Sequence, residues 1–194
     1  GGFKIATVQT CISPWENWSG NKYHYLAELI GYTDEAMKHD PDFIIWSESA
    51  TLETLSFRYS TGKSAPFDRK LYDHIKGWGK PLFTGEIGVT GKVSGNYVDL
   101  FPQNNGVLIN ENGEVVNSYP KINLVPFGEW FPYERIFPFV KRLVSRFGGS
   151  SFVPGDRPVL FDVKGLKFGP LICYEGIFFR LCREYRLMGA DFLV

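Results

Sequence analysis

The sequence has too few cysteines and histidines to build a disulfide framework or a clustered metal site. Its three cysteines, Cys11, Cys173 and Cys182, are an odd number at spacings that fit neither paired disulfides nor zinc ligands. The three histidines are scattered, and none has an obvious partner for a Cys-His dyad. We therefore expect reduced thiols, no metal and no other cofactor.

An excess of positive charge and long hydrophobic runs are also missing. The 21 basic residues balance the 21 acidic ones, so the sequence offers no basic patch or tail for binding nucleic acid. No apolar run is longer than about half a dozen residues, well short of the roughly 20 that a membrane-spanning helix needs. We expect neither a membrane span nor a signal peptide in this sequence. Aromatic residues, in contrast, make up 16% of the chain.

Alternating apolar patterns predict one α/β domain over residues 1–194. The predicted strands are Phe3–Gln9, Phe43–Trp46, Pro81–Val89, Gly106–Asn110, Glu114–Tyr119, Val159–Val163 and Leu166–Cys173. The predicted helices are Lys22–His39, Asp68–Trp78, Phe139–Phe147 and Ile177–Met188. Residues 53–66 read as irregular, and Thr90-Gly91-Lys92 reads as the end of a strand.

A weak internal repeat indicates two similar halves. Asp42-Phe43-Ile44-Ile45 and Asp191-Phe192-Leu193-Val194 each follow a predicted helix and a short turn. The first copy leads to Glu48, whereas the sequence ends before the second copy reaches its equivalent position. We expect the last strands of the sheet to be missing, which leaves an unpaired edge.

Cys173 is a candidate nucleophile because it lies where a predicted strand gives way to a helical pattern near Gly176. Free N–H groups and the positive end of the following helix are expected to favour the thiolate at such a junction. The alternative is that Cys173 is a small buried packing residue.

Two more ionisable residues follow predicted strands directly. Glu48 comes off the apolar strand Phe43–Trp46, where it either caps the next segment or points into a cleft at the end of the sheet. Lys121 follows the hairpin strand Glu114–Tyr119 and is either part of that cleft or an ordinary solvated lysine. Glu129 is the only acid inside the proline-stiffened aromatic loop Leu124–Glu134.

In this order along the chain, Glu48, Lys121 and Cys173 resemble the Glu-Lys-Cys triad of the nitrilase, or carbon-nitrogen hydrolase, superfamily. Within it, the segments IIWSESA, YPKINLVPFGEWFP and FGPLICYE resemble the apolipoprotein N-acyltransferase family, bacterial enzymes that add the third acyl chain to lipoproteins. LVPFGE after the lysine is the most discriminating part. The chain departs from the family pattern at Ser47, where proline is usual, and at Gln103, where tyrosine is usual.

The resemblance implies a four-layer αββα sandwich, incomplete at its C-terminus, and a ping-pong reaction. A phospholipid would donate an acyl chain to Cys173, and the amine of an N-terminal diacylglyceryl-cysteine would accept it. Glu48 would be the general base, and Lys121 would stabilise the tetrahedral oxyanion. The implied location is the bacterial inner membrane, with the domain facing the periplasm and attached through membrane helices that this sequence lacks.

The resemblance also assigns four supporting residues. Glu129 would be a second acid near the site, and Tyr174 and Glu175 would shape the pocket beside the nucleophile. Trp18 would belong to a substrate-facing first loop.

Two other functions remain open from the sequence. A soluble amidase or nitrilase would use the same triad with water as the acceptor, and a catalytically inactive binding module would keep the fold alone. A further hypothesis places Trp130–Phe147 as a lid or membrane-contacting arm over the cleft, with ordinary packing of the basic amphipathic helix as the alternative.

Overall fold

A computed structural model describes residues 2–11, 17–94, 97–130 and 152–194. The predicted helix Phe139–Phe147 and nearly all of the Trp130–Phe147 segment lie outside these ranges. The strands are β1 Ile5–Val8, β2 Phe43–Trp46, β3 Leu82–Ser94, β4 Tyr97–Ile109, β5 Val115–Pro120, β6 Phe161–Val163, β7 Leu166–Gly169 and β8 Phe192–Leu193. The helices are α1 Trp18–Met37, α2 Leu55–Ser60, α3 Pro66–Trp78, a 3₁₀ turn Cys173–Ile177 and α4 Phe179–Met188.

The strands form two sheets. The first sheet has the order β1-β2-β3-β4-β5, and the second has the order β6-β7-β8. The strands β1, β2 and β3 run parallel, and β3, β4 and β5 are joined as antiparallel hairpins. The parallel strands β1 and β2 therefore end at the same edge of the sheet, where polar side chains from separate parts of the chain can meet.

The buried apolar residues form three cores, and three cores lie between four layers of helices and sheets. Ile44 and Trp46 pack with the helices on one side of the first sheet, whereas Phe43 packs between the two sheets. In that middle core the ring of Phe168 lies 5.3 Å from the ring of Phe43 and stacks on Phe161 at 5.2 Å. A third core lies under Leu181 and Tyr185 of α4. The predicted four-layer αββα sandwich is confirmed.

The internal repeat appears as two matching sets of hydrogen bonds. Asp42 accepts a hydrogen bond from the Lys4 backbone N–H at 3.0 Å, and its own N–H donates to the Lys4 carbonyl at 2.8 Å. Asp191 and Lys167 make the same two bonds, both at 2.8 Å. Each Asp thus sets the register of a parallel strand pair, β1 with β2 and β7 with β8. Among the described strands, β8 pairs on one side only.

The interpretation of residues 53–66 as irregular was wrong, because α2 forms there. The buried Glu86 carboxylate accepts hydrogen bonds from the backbone N–H of Ser56, at 2.8 Å, and from its hydroxyl. Leu55 is fully buried, and Arg58 pairs with Asp68 of α3. These partners are distant in sequence, so no local pattern reports them. Burial raises the pKa of Glu86 to about 7, and the Ser56 hydrogen bonds only partly oppose this.

The central hairpin is also longer than the sequence indicates. Thr90-Gly91-Lys92 does not end β3, which continues to Ser94 in register with β4, so that Thr90 lies opposite Phe101. Continuous pairing with the neighbouring strand outweighs the local turn preference of one glycine.

Candidate active site

Glu48 is carried on a tight turn at the end of β2. The following residue, Ser49, has a positive φ of 54°. Gly85 of β3 lets this turn come close, since a Cβ there would lie 2.3 Å from the Ser49 nitrogen. Thr51 then donates to the Gly85 carbonyl from its backbone N–H, at 3.1 Å, and from its hydroxyl, at 2.9 Å. The Glu48 turn is therefore fixed against the middle of the first sheet.

Lys121 follows β5 and is only 1% exposed. Its backbone N–H donates to the Asn104 carbonyl at 2.8 Å, and its carbonyl accepts from Gly155 at 2.9 Å. The ammonium nitrogen lies 2.9 Å from both Glu129 oxygens and 3.5 Å from Glu48 Oε1. The alternative of a solvated lysine is wrong, since the side chain is buried against two carboxylates.

Glu129 lies in the loop after Lys121, which closes on itself through a bridge between Pro126 and Trp130. Burial alone acts to raise the pKa of this carboxyl. Hydrogen bonds from the Val125 N–H, from Lys121 and from the Asn104 amide outweigh burial and hold the pKa below its usual value. Glu129 is therefore an ionised counter-charge for Lys121.

Cys173 lies beyond the end of its strand, since β7 stops at Gly169 and not at Cys173 as the sequence predicts. It begins the 3₁₀ turn with φ of 51°, the left-handed region that side chains rarely adopt. Such strain concentrates at functional sites. The residue is exposed, so the alternative of a buried packing cysteine is wrong.

The expectation that the turn favours a thiolate is not met. Partial burial raises the pKa of the Cys173 thiol, and the negative charge of Glu48 raises it further. The Lys121 ammonium and the Tyr174 N–H act in the opposite direction but do not compensate. The resting sulfur is therefore a thiol that donates to the Glu48 carboxylate, and it needs a base to become a nucleophile.

Glu175 is fully buried and joins the cysteine turn to the lysine segment. Its Oε1 accepts from the Tyr119 hydroxyl at 2.7 Å and from the N–H groups of Ile122 and Asn123 at 2.8 and 3.0 Å. Its Oε2 accepts from the Ile172 N–H at 2.9 Å. The carboxylate thus lies inside the fold, where it sets the position of Cys173 relative to Lys121.

Tyr174, the residue after Cys173, lines an apolar cleft of about 290 Å³. Its ring meets the ring of Phe178 edge to face at 5.1 Å. The other apolar side chains of the cleft are Ile122, Leu124, Pro126, Trp130 and Pro154. A cleft with this lining can hold a hydrocarbon group.

The structure does not bring Trp18 to these residues. It is the first residue of α1 and not part of a loop, because Asn17 caps the helix by accepting from the Gly20 N–H at 3.2 Å. The indole stacks on Tyr25 at 5.4 Å and packs against Phe67. Its contacts in the described residues are with the helix-side core, not with Glu48, Lys121 or Cys173.

Comparison with known proteins places the chain in a family. The family model for carbon-nitrogen hydrolase matches residues 4–194. The chain belongs to the carbon-nitrogen hydrolase family. Solved carbon-nitrogen hydrolase folds include an amidase from Nesterenkonia sp., 19% identical with a TM-score of 0.65, covering 98% of this chain and 63% of the amidase. At that identity the likeness shows the fold alone.

The curated relatives carry a more specific name. An apolipoprotein N-acyltransferase from Borreliella burgdorferi is 31% identical over 193 residues, covering 98% of this chain and 36% of the relative. One from Geobacter metallireducens is 33% identical over 198 residues, covering 99% and 35%. This carbon-nitrogen hydrolase chain thus spans about a third of the length of each of these relatives.

In the described residues of this carbon-nitrogen hydrolase chain, no group of three or more His, Cys, Asp and Glu side chains is placed to hold a metal ion. In the same residues, no helix is both long and apolar enough to cross a bilayer.

Sequence reasoning missed one residue of the site, Asn104 in β4. Its amide donates to Glu48 at 2.8 Å and to Glu129 at 2.6 Å. Asparagine is rare in strands, so the pair Asn104-Asn105 inside a strand is the only local sign of a special role.

One prediction follows from the contact between Glu48 and the thiol of this carbon-nitrogen hydrolase. Glu48→Gln removes a negative charge that raises the pKa of Cys173, so the pKa should fall and more thiolate should be present at pH 7. Iodoacetamide should then alkylate Cys173 faster than in the wild type, measured as rate against pH by peptide mass mapping.

The matched control is Glu111→Gln, at an exposed hairpin position, which should leave the alkylation curve unchanged. An unchanged alkylation curve in Glu48→Gln would show that this carboxylate does not act on the sulfur.

Proposed function

We propose that this chain is the catalytic domain of an apolipoprotein N-acyltransferase that works through a thioester on Cys173. The observation that carries the proposal is the meeting of the Cys173 thiol, the Glu48 carboxylate and the buried Lys121 ammonium. The residue after Cys173, Tyr174, lines an apolar cleft. The names of the curated relatives support the choice of acyl transfer among the reactions this site can perform.

In the first half-reaction a phospholipid ester acylates the cysteine. Glu48 takes the thiol proton as the sulfur bonds to the ester carbonyl carbon. The oxyanion of the tetrahedral intermediate is stabilised by the Lys121 ammonium and the Tyr174 N–H. When the intermediate collapses, the carbon–oxygen bond breaks and the lysophospholipid oxygen leaves with the proton held by Glu48.

In the second half-reaction the amine of a diacylated lipoprotein takes the acyl chain. The free amine attacks the thioester carbonyl, and Glu48 accepts its proton. The carbon–sulfur bond then breaks, the thiolate recovers a proton through Glu48, and an amide is released. The same three groups serve both half-reactions, because each half-reaction forms a tetrahedral oxyanion in the same position next to the sulfur.

Glu129 supports the catalytic lysine without contacting the reacting atoms. It lies 2.9 Å from the ammonium, closer than Glu48 at 3.5 Å, and therefore carries the main ion pair. Glu48 is left freer to exchange protons with the sulfur. Glu129 thus supplies a negative charge directly beside the buried side chain of Lys121.

The lipid substrates and the location form part of the same proposal. The cleft that Tyr174 lines has mostly apolar side chains, as a bound acyl chain requires. The donor is a phospholipid and the acceptor a diacylated lipoprotein, with the protein at the bacterial inner membrane and this domain on the periplasmic side. The lipoprotein acceptor follows from the relatives' names, whereas the donor and the location follow from the resemblance of the sequence motifs to this family; all of them apply to the gene's complete product.

A soluble amidase is the second candidate, favoured by the solved structures of this fold. A glutamate-to-glutamine variant of the Nesterenkonia amidase carries acrylamide added at its active-site cysteine. With water as the acceptor, the same three groups would cleave small amides. A third candidate, an inactive binding module, does not explain why an exposed thiol should lie against a carboxylate.

The test compares products from the gene's complete product in mixed micelles. Phospholipid with a labelled acyl chain and a diacylated lipopeptide with a free amino terminus are supplied together. We expect labelled triacylated lipopeptide, none with an N-acetylated lipopeptide, and no ammonia from small amides. Ammonia release without acyl transfer would replace the acyltransferase by the amidase.

A further inference from the structure

We propose that Asn104 is a positioning residue that holds Glu48 on the cysteine and Glu129 on the lysine at the same time. Its test has two measurements. The measurement of acyl transfer rests on the proposed function, whereas the measurement of Cys173 alkylation does not. The carboxyl groups of Glu48 and Glu129 both lie against Lys121, and two carboxylates that share one cation repel each other. A neutral side chain with two donors can bridge them without adding charge.

The Asn104 amide has this bridging geometry. Its Nδ2 lies 2.8 Å from Glu48 Oε1 and 2.6 Å from Glu129 Oε1. Both oxygens also face the Lys121 ammonium, so each is held between an amide and a cation. The orientation of the amide follows from its neighbours, because the opposite orientation would direct the carbonyl oxygen at two carboxylates.

The backbone fixes where this amide lies. Asn104 is in the middle of β4, opposite Ile87 of β3, and is 5% exposed. Its own carbonyl accepts the Lys121 N–H at 2.8 Å, so the backbones of Asn104 and Lys121 are held side by side. The Oδ1 atom is buried without a hydrogen-bond partner in the described residues. An unsatisfied buried acceptor is destabilising, and the site retains it to keep the two donors.

The chain offers a matched control in Asn105. It is the next residue, 4% exposed, and its Oδ1 is also buried without a partner in the part of the chain described. Side chains alternate along a strand, so Asn105 points to the opposite face, where it lies opposite Glu86 and packs over Gly88. The two residues share type, burial and strand and differ in what they touch.

The test combines variants with the pH dependence of Cys173 alkylation by iodoacetamide. In Asn104→Ala we expect Glu48 to move off the thiol, so the alkylation curve should shift to lower pH, as in Glu48→Gln. In the double variant Asn104→Ala/Glu48→Gln, the second change should have no further effect on the curve, because Asn104 acts on the sulfur only through Glu48. Asn105→Ala should keep the wild-type curve.

The same variants are then assayed for acyl transfer in the gene's complete product. A small displacement of a catalytic group can cost roughly 100-fold, and we expect a kcat loss of that order for Asn104→Ala with little change in KM. Asn104→Asp should lose more, since it adds a third carboxylate around one ammonium. Asn104→Ser, which has a single donor, should lie between the wild type and Asn104→Ala and serves if the alanine variant does not fold.

A wild-type alkylation curve in folded Asn104→Ala or Asn104→Ser, or additive shifts in the double variant, would overturn the proposal. Loss of acyl transfer in every protein including the wild type would contradict the proposed function and leave the alkylation result intact.

Discussion

Cys173→Ala is expected to lower acyl transfer by roughly 10⁴-fold or more, since loss of a nucleophile removes the covalent route itself. The sulfur is the only described thiol that meets a carboxylate and an ammonium in one place. The measurement is turnover of phospholipid and lipopeptide by the gene's complete product, with thermal unfolding to confirm that the variant is folded.

The other two cysteines supply the controls. Cys11 is exposed after β1, and Cys182 is half-buried on α4. Cys11→Ala and Cys182→Ala should retain most of the activity. Near-normal turnover by the Cys173 variant, or a comparable loss in either control, would remove Cys173 from the mechanism.

Lys121→Arg is expected to lower kcat by roughly 10²–10³-fold even though it keeps the charge. A planar guanidinium is larger than an ammonium, and it pairs with a carboxylate through two parallel hydrogen bonds. It would therefore turn toward Glu129 and away from the oxyanion. The measurement is kcat and KM of the folded variant, and wild-type rates would exclude a specific role for the ammonium.

Lys121→Met tests the electrostatics of the same position. The ammonium lowers the pKa of Cys173, so its loss should raise that pKa and slow alkylation at pH 8, the opposite of the change in Glu48→Gln. Because Glu129 would then be buried beside Glu48 without a counter-charge, this variant should also be less stable by about 3–5 kcal/mol. The arginine variant is therefore the better test of catalysis.

The sequence predicted that Glu48, Lys121 and Cys173 lie together, because the backbone alone positions them. Each of the three comes within a few residues of the end of a strand, and the ends of strands in one sandwich meet. The internal repeat could also be predicted from the sequence, since Asp42 and Asp191 play the same local part. Each aspartate sets the register of its strand through hydrogen bonds to the neighbouring strand. Apolar strands such as β2 were predicted because both of their faces are covered.

Other features depend on contacts that no local pattern contains. Helix α2 forms because Glu86, 30 residues away, accepts the Ser56 N–H. The pKa of Cys173 was predicted to fall, but it rises. Desolvation and the nearby Glu48 charge raise it more than the N–H groups of a five-residue turn lower it. Asn104 could not be assigned from one sequence, since its role exists only where two separate carboxylates meet.

The most direct test of the account is the mass of the gene's complete product after incubation with phospholipid and no acceptor. We predict an increase of one acyl chain, mapped to Cys173, removed by neutral hydroxylamine and absent in Cys173→Ala. A diacylated lipopeptide with a free amine should discharge the adduct, whereas an N-blocked one should not. Absence of any adduct from protein that cleaves small amides would contradict the acyltransferase assignment and leave the family and the fold in place.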